Sequence, residues 1–205
     1  MDETEFSRST GMTPRRLESL ADGIFAFAMT LLVLSINLPD PAKNINVGVF
    51  LSGQYNNFWN FALSFLLLAI FWLSNSQQYH HIKKADSVTL WANIFVLMFV
   101  VLIPFSASMM NDYTSNMVAE VFFNSNILII TSLLAFNWWY SCKKQFVEVP
   151  GGGAHIARVS RRELTVSLVP LLALFVSFVF PGWSTVSYLL IPLTMLLPSP
   201  SRTSH

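Results

Sequence analysis

Residues Arg16 to Leu38, RLESLADGIFAFAMTLLVLSINL, form a run so apolar and so long that few folds accommodate it. As an α-helix this run rises roughly 35 Å, enough to cross a hydrocarbon core of about 30 Å even when tilted. Further apolar stretches follow at Val47–Leu73, Val88–Met109, Asn116–Tyr140, Leu164–Phe180 and Trp183–Leu197, each set off by a polar or Pro/Gly-containing connection. The pattern predicts an all-α polytopic membrane protein with six transmembrane helices. The last stretch, about 15 apolar residues, is short for a crossing and equally fits a re-entrant helix. Residues 1–15 and 199–205 read as tails around one domain at 16–198. Composition agrees, with 53% hydrophobic and only 11% charged residues.

Charge gives the spans a direction. With six alternating spans, the two termini and the loops at 76–87 and 141–163 share one side, and that side holds Arg8, Arg15, Arg16, Lys83, Lys84, Lys143, Lys144, Arg158, Arg161, Arg162 and Arg202. The other side holds only Lys43. The positive-inside rule then predicts cytoplasmic termini. A net charge of +1, with the basic groups spread over several loops, argues against a nucleic-acid partner. Cys142 is the single cysteine, so an intrachain disulfide is excluded. The stretch QFVEVPGGGAHIA at 145–157 reads as a mobile loop.

Catalytic signatures such as G-x-S-x-G and H-E-x-x-H are absent. His80 and His81 point about 100° apart on a helix and make a poor chelate, so QQYHHIKK reads as a solvated helix end. No cofactor and no fixed metal are implied. Ionisable groups at depth carry more information, because a charge persists in a membrane only when paired or wetted. Asp22 lies roughly 9 Å along the first helix from Arg16 and needs partners. Glu120 and Asp112 are expected at the outer headgroup level. On the same helix Phe27, Thr30, Leu31, Leu34 and Leu38 fall at i, i+3, i+4, i+7 and i+11, one apolar face with a single hydroxyl. On a lone helix that face simply packs. Repeated round a symmetry axis, it makes rings of apolar side chains that close a narrow pore by dewetting, beside a hydroxyl ring able to ligate a partly dehydrated cation.

These residues resemble the signature of the transmembrane protein 175 family, the lysosomal and endosomal potassium channels and their shorter prokaryotic relatives. The family's R-x-x-x-F-S-D hallmark reads here as Arg16-x-x-x-Leu20-Ala21-Asp22, followed by GIFAFAMTLLVL. Leu20 and Ala21 replace its Phe and Ser. Phe71-Trp72, Asp86, Trp91, Asn93 and Pro104-Phe105 recur in family-like order, whereas Asn75 and Ser76 stand where the family usually has histidines. The resemblance implies a single-repeat prokaryotic member, homotetrameric, with the first helix of each subunit lining a central pore. Its main constriction falls on Phe27, with Leu31 and Leu34 further along, and its selectivity-linked threonine on Thr30, near which potassium would pass. Arg16, Asp22, Trp72 and Asn93 are the expected bracing network.

The chain contains no T-V-G-Y-G carbonyl filter. The expectation is a potassium-selective leak-type channel of a prokaryotic plasma membrane, with potassium ions, the lipid bilayer and its own copies as partners. Two rivals are a secondary transporter, for which Pro104, Pro170 and Pro192 offer helix interruptions but no mid-depth acid, and a non-conducting membrane scaffold in which the Phe27 stripe merely packs.

Overall fold

The computed structural model describes residues 13–36, 46–113, 116–148, 152–180 and 184–191, leaving aside the side chains of residues 154 and 155. Helix α1, Pro14–Leu31, begins where Pro14 fixes φ at the first helical position, and it tightens into a 3-10 turn at Leu32–Ser35. A short helix α2, Val47–Gly53, is capped by Asn46, whose side chain accepts the Gly48 N–H at 2.9 Å. Then come α3, Tyr55–His81, and α4, Ser87–Val101, the latter capped by Asp86 through the Thr89 N–H at 3.0 Å. Pro104 lacks the N–H needed to continue α4, so α5, Ile103–Asp112, starts as a separate helix. Helices α6, Met117–Lys143, and α7, Gly152–Val179, follow, with a 3-10 turn at Ser184–Leu189. Among the described residues there is no strand, only an isolated bridge between Ile82 and Val147.

Among the described residues, five helical stretches are long and apolar enough to cross a bilayer: Pro14–Ser35, Tyr55–His81, Ser87–Asp112, Met117–Lys143 and Ile156–Val179. The second crossing starts later than expected from the apolar run at Val47–Leu73. Gly53 is a poor helix former and Gln54 leaves the α region (φ −88°, ψ 7°), which detaches α2 from α3. Of the stretch Trp183–Leu197, residues 184–191 form the 3-10 turn and one further helical step; the remainder of that expected sixth span lies outside the described residues.

Two loop expectations need correction. The segment QQYHH belongs to α3, and Gln78 and Tyr79 are buried rather than solvated, because α6 covers them: the Gln78 amide donates to the Leu134 carbonyl at 3.2 Å, and Asn137 donates to the Tyr79 hydroxyl at 3.4 Å. The glycine-rich loop is also shorter than expected. Gly152 takes φ 60°, open to a residue without Cβ, and the chain is helical from there on. Ahead of it, α6 ends in a Schellman turn: the Phe146 N–H bonds the Ser141 carbonyl at 3.0 Å and the Gln145 N–H bonds the Cys142 carbonyl at 3.1 Å. Gln145 occupies the left-handed position, φ 57°, and Phe146 is buried.

One continuous core joins the helices, built from Phe25 of α1, Leu67 and Phe71 of α3, Val96 and Val100 of α4, Phe123, Ile127 and Leu134 of α6, and Ala173 of α7. The start of α1, the end of α3, the end of α6 and the start of α7 meet at one end of the bundle. Arg15 shares a cleft with His80 and Lys83, the Lys83 N–H bonds the Phe146 carbonyl at 2.9 Å, and the Trp138 indole donates to the Ser160 hydroxyl at 2.9 Å. Of the arginines and lysines read from the sequence as one side, those on these segments are therefore gathered at one end, and Arg8 and Arg202 lie outside the described residues.

Candidate functional site: the uncovered face of the first helix

Helix α1 has two unlike faces. Leu17, Ala21, Phe25, Ala28 and Leu32 recur at helical spacing and are buried against the rest of the bundle. The opposite face is left open. Leu20, Phe27 and Leu34, seven residues apart, are 46%, 59% and 70% exposed, and Thr30 lies exposed between the last two. Leu31, at the margin of this stripe, is half-buried. A seven-residue repeat drifts by only about 20° per step on an α-helix, so Leu20 and Phe27 lie nearly in line, and Leu34 follows in the tighter 3-10 turn.

The Thr30 hydroxyl donates to the Phe27 carbonyl of its own helix at 2.8 Å. Its proton is thereby turned inward, and its oxygen lone pairs remain for an outside donor or cation.

Hydrogen bonds hold α1 near both ends and leave the stripe between them clear. At the basic end, the Trp72 indole of α3 donates to the Asp22 carboxylate at 2.8 Å, and one turn further the Ser76 hydroxyl donates to Glu18 at 3.1 Å. At the far end, the Asn111 side chain of α5 donates to the Ser35 carbonyl at 2.9 Å, and Asn60 of α3 donates to the Asn111 side chain at 2.9 Å. Backbone tightening in the 3-10 turn is accompanied by the Ser35 hydroxyl bonding the Leu32 carbonyl at 2.7 Å.

Of the residues expected to form the bracing network, the structure brings Asp22 and Trp72 together. Arg16 is exposed on α1, near its start. Asn93 is fully buried in α4, and neither end of its amide finds a hydrogen-bond partner among the described residues. Of the two residues standing where the family has histidines, Ser76 reaches Glu18, while the buried Asn75 leaves its side-chain oxygen unpaired. Glu120, expected at the outer headgroup level, is covered by its own chain. It is 4% exposed, because the 3-10 turn after α7 folds over it and the Ser184 hydroxyl donates to its carboxylate at 2.6 Å.

Sequence reasoning missed a second polar cluster. Glu163 of α7 is buried and accepts the Ser74 hydroxyl of α3, while the adjacent Arg162 guanidinium bonds Glu163 at 3.1 Å and the Gln77 side chain. The available signal was an acid next to arginines immediately before an apolar run, where a charge entering a membrane helix calls for partners on a neighbour.

The fold and this open face define a multi-pass helical membrane protein that presents an apolar, hydroxyl-bearing stripe of its first helix away from its own core. Residues 16–104 match the family model described as "Endosomal/lysosomal potassium channel TMEM175". Over that stretch the chain is similar to that family. It is 28% identical to a potassium channel of Streptomyces collinus over 71% of this chain and 73% of the relative, and 24% identical to a potassium channel of a Chryseobacterium species over 91% and 94%. The fold is similar to the crystal structure of a lysosomal potassium-selective channel TMEM175 homolog from Chamaesiphon minutus, with a TM-score of 0.79 at 21% identity, covering 89% of this chain and 96% of that one.

Proposed function

We propose that this chain is a potassium-permeable, leak-type channel in which four copies place the α1 stripe round a common axis. The observation that carries this reading is the open face of α1, where Phe27, Thr30 and Leu34 stand clear of the bundle on a helix whose basic end also exposes Arg16 and Asp22. Lipid alone would cover Phe27 and Leu34 well, but an exposed carboxylate and guanidinium on the same helix are costly against hydrocarbon and inexpensive against water. A water-filled axis accommodates both halves of the helix.

On this reading Phe27, Leu31 and Leu34 form apolar rings that close the path by dewetting, and the Thr30 oxygens replace part of the shell lost by a dehydrating cation. Potassium gives up its water at lower cost than sodium, which sets a modest preference without a row of backbone carbonyls. The Asp22–Trp72 bond fixes the angle at which α1 presents the stripe, and Arg16 completes the brace. Six crossings with cytoplasmic termini, in a prokaryotic plasma membrane, fit the gathering of basic residues at one end.

The break between α4 and α5 at Pro104, and in α4 a buried Asn93 with no partner among the described residues, are features a secondary transporter also uses. Purified protein in liposomes separates the two. Uptake that follows the potassium gradient with no proton or substrate requirement supports the channel, and obligatory coupling overturns it.

A further inference from the structure

A cavity of about 360 Å³ opens at the basic end of the bundle, between the end of α3 and the start of α7, lined by Gln77, His81, Arg158, Val159 and Arg162. Among the described residues no carboxylate lines it. Arg158 and Arg162 stand four residues apart on α7, where like charges face each other and repel. Of the acids on the neighbouring segments, Glu163 is buried and already engaged by Ser74 and Arg162, and Glu148 is exposed, its backbone N–H on the His81 carbonyl at 3.0 Å. Arg158 has no ion-pair partner among the described residues. Two guanidinium groups with an amide and an imidazole beside them thus surround a space with a positive surplus, and forked N–H donors suit the oxygens of a phosphate.

The position narrows the ligand further. The cavity lies where α3 and α7 leave the apolar part of their spans, and the Trp138 and Trp139 rings of α6 mark the same level, with the Lys143 ammonium 5.0 Å from the Trp139 ring centre. Basic pockets between membrane helices at this depth are suited to anionic headgroups.

We infer that the cavity between α3 and α7 is a binding site for a phosphate-bearing anion, with Arg158 and Arg162 as its charged ligands and Gln77 and His81 as its polar wall. The site is separate from the α1 stripe, so its occupancy does not depend on whether the protein conducts. It nevertheless lies on the same helix as the brace: Gln77, bonded by Arg162, is five residues along α3 from Trp72, which bonds Asp22.

The test uses the full chain purified in a zwitterionic detergent and titrated separately with inorganic phosphate, dioctanoyl phosphatidylglycerol and dioctanoyl phosphatidylcholine, following thermal stability to obtain apparent affinities. Arg158→Gln removes one ligand that has no structural partner, and Arg161→Gln makes the same charge change on an exposed position outside the cavity. Stabilisation by phosphatidylglycerol but not phosphatidylcholine, weakened about tenfold or more by Arg158→Gln and unchanged by Arg161→Gln, supports a lipid headgroup as the ligand. The same pattern with inorganic phosphate as well supports a site open to soluble phosphate. Equal responses of the wild type and Arg158→Gln to each probe, or no response to either anion, overturn the inference.

Discussion

Phe25 and Phe27 are two residues apart on α1 and should respond to truncation in opposite ways. Phe25 is 0% exposed and sits in the core with Leu67, Phe71 and Val96. Replacing such a ring by alanine costs about 3–5 kcal/mol, from lost transfer energy plus the cavity left behind. Phe27 is 59% exposed within its subunit, so it buries roughly two-fifths of the same surface and no enclosed cavity opens when it is removed. Its truncation should cost about 1–2 kcal/mol. The permeation effects run the other way. If four Phe27 rings narrow the path, Phe27→Ala widens it and removes apolar surface from the point that dewets, and potassium flux per folded protein rises severalfold. Phe25→Ala lowers the yield of folded channel and leaves flux per folded protein near wild type. The assay pairs thermal unfolding followed by tryptophan fluorescence with potassium flux from liposomes, normalised to reconstituted protein. A Phe27→Ala variant as unstable as Phe25→Ala, with unchanged flux, would show that Phe27 packs and would refute the stripe as the conduction path.

Three further outcomes follow from particular contacts. Trp72→Phe keeps the ring but removes the donor to Asp22; a charge-assisted bond between partly exposed groups is worth about 1 kcal/mol, and both this variant and Asp22→Asn should lower thermal stability and alter flux, with the double variant no worse than either single one. Gln145→Gly relieves the left-handed backbone at the end of α6 and should stabilise the protein by about 1 kcal/mol in the same unfolding assay, with flux unchanged. Asp86 is pulled toward a raised pKa by burial, but the hydrogen bonds from the Thr89 backbone, Tyr140 and the Thr89 side chain outweigh this and set it below the ordinary carboxylate value. Its charge therefore stabilises the fold fully above the ordinary carboxylate range, and that contribution is lost as pH falls through its lowered pKa. The stability gap between wild type and Asp86→Asn should accordingly close on acidification, and a gap that persists at the acid end contradicts this assignment.

Much of α1 was legible before any coordinates. Its 3.6-residue pattern separates Phe25 and Ala28 from Phe27 and Thr30 because a helix has only one face to bury, and the pairing of Asp22 with Trp72 was carried by the family resemblance. The cross-links between helices were not legible. Asn60, Asn111, Asn124, Ser177 and Ser35 are single polar residues scattered through apolar runs, and their partners lie 51 to 76 residues away in sequence, so no local period marks them. The partner of Glu120 was hidden for the same reason: its position near a helix start gave its level, and only the return of the chain at Ser184 buries it. Asn93, expected in the brace around Asp22, is buried in α4 and finds no hydrogen-bond partner among the described residues, and depth in a helix cannot be read from residue type.

The most direct measurement is cysteine accessibility along α1 in a Cys142→Ser background, recording potassium current in planar bilayers before and after a charged methanethiosulfonate reagent. The α1 stripe predicts that Thr30→Cys and Leu34→Cys lose most of their current on modification. Val118→Cys, 73% exposed on α6 away from the stripe, should be modified with its current unchanged. Current that survives modification at both stripe positions, or falls equally at all three, would contradict a conduction path along the first helix.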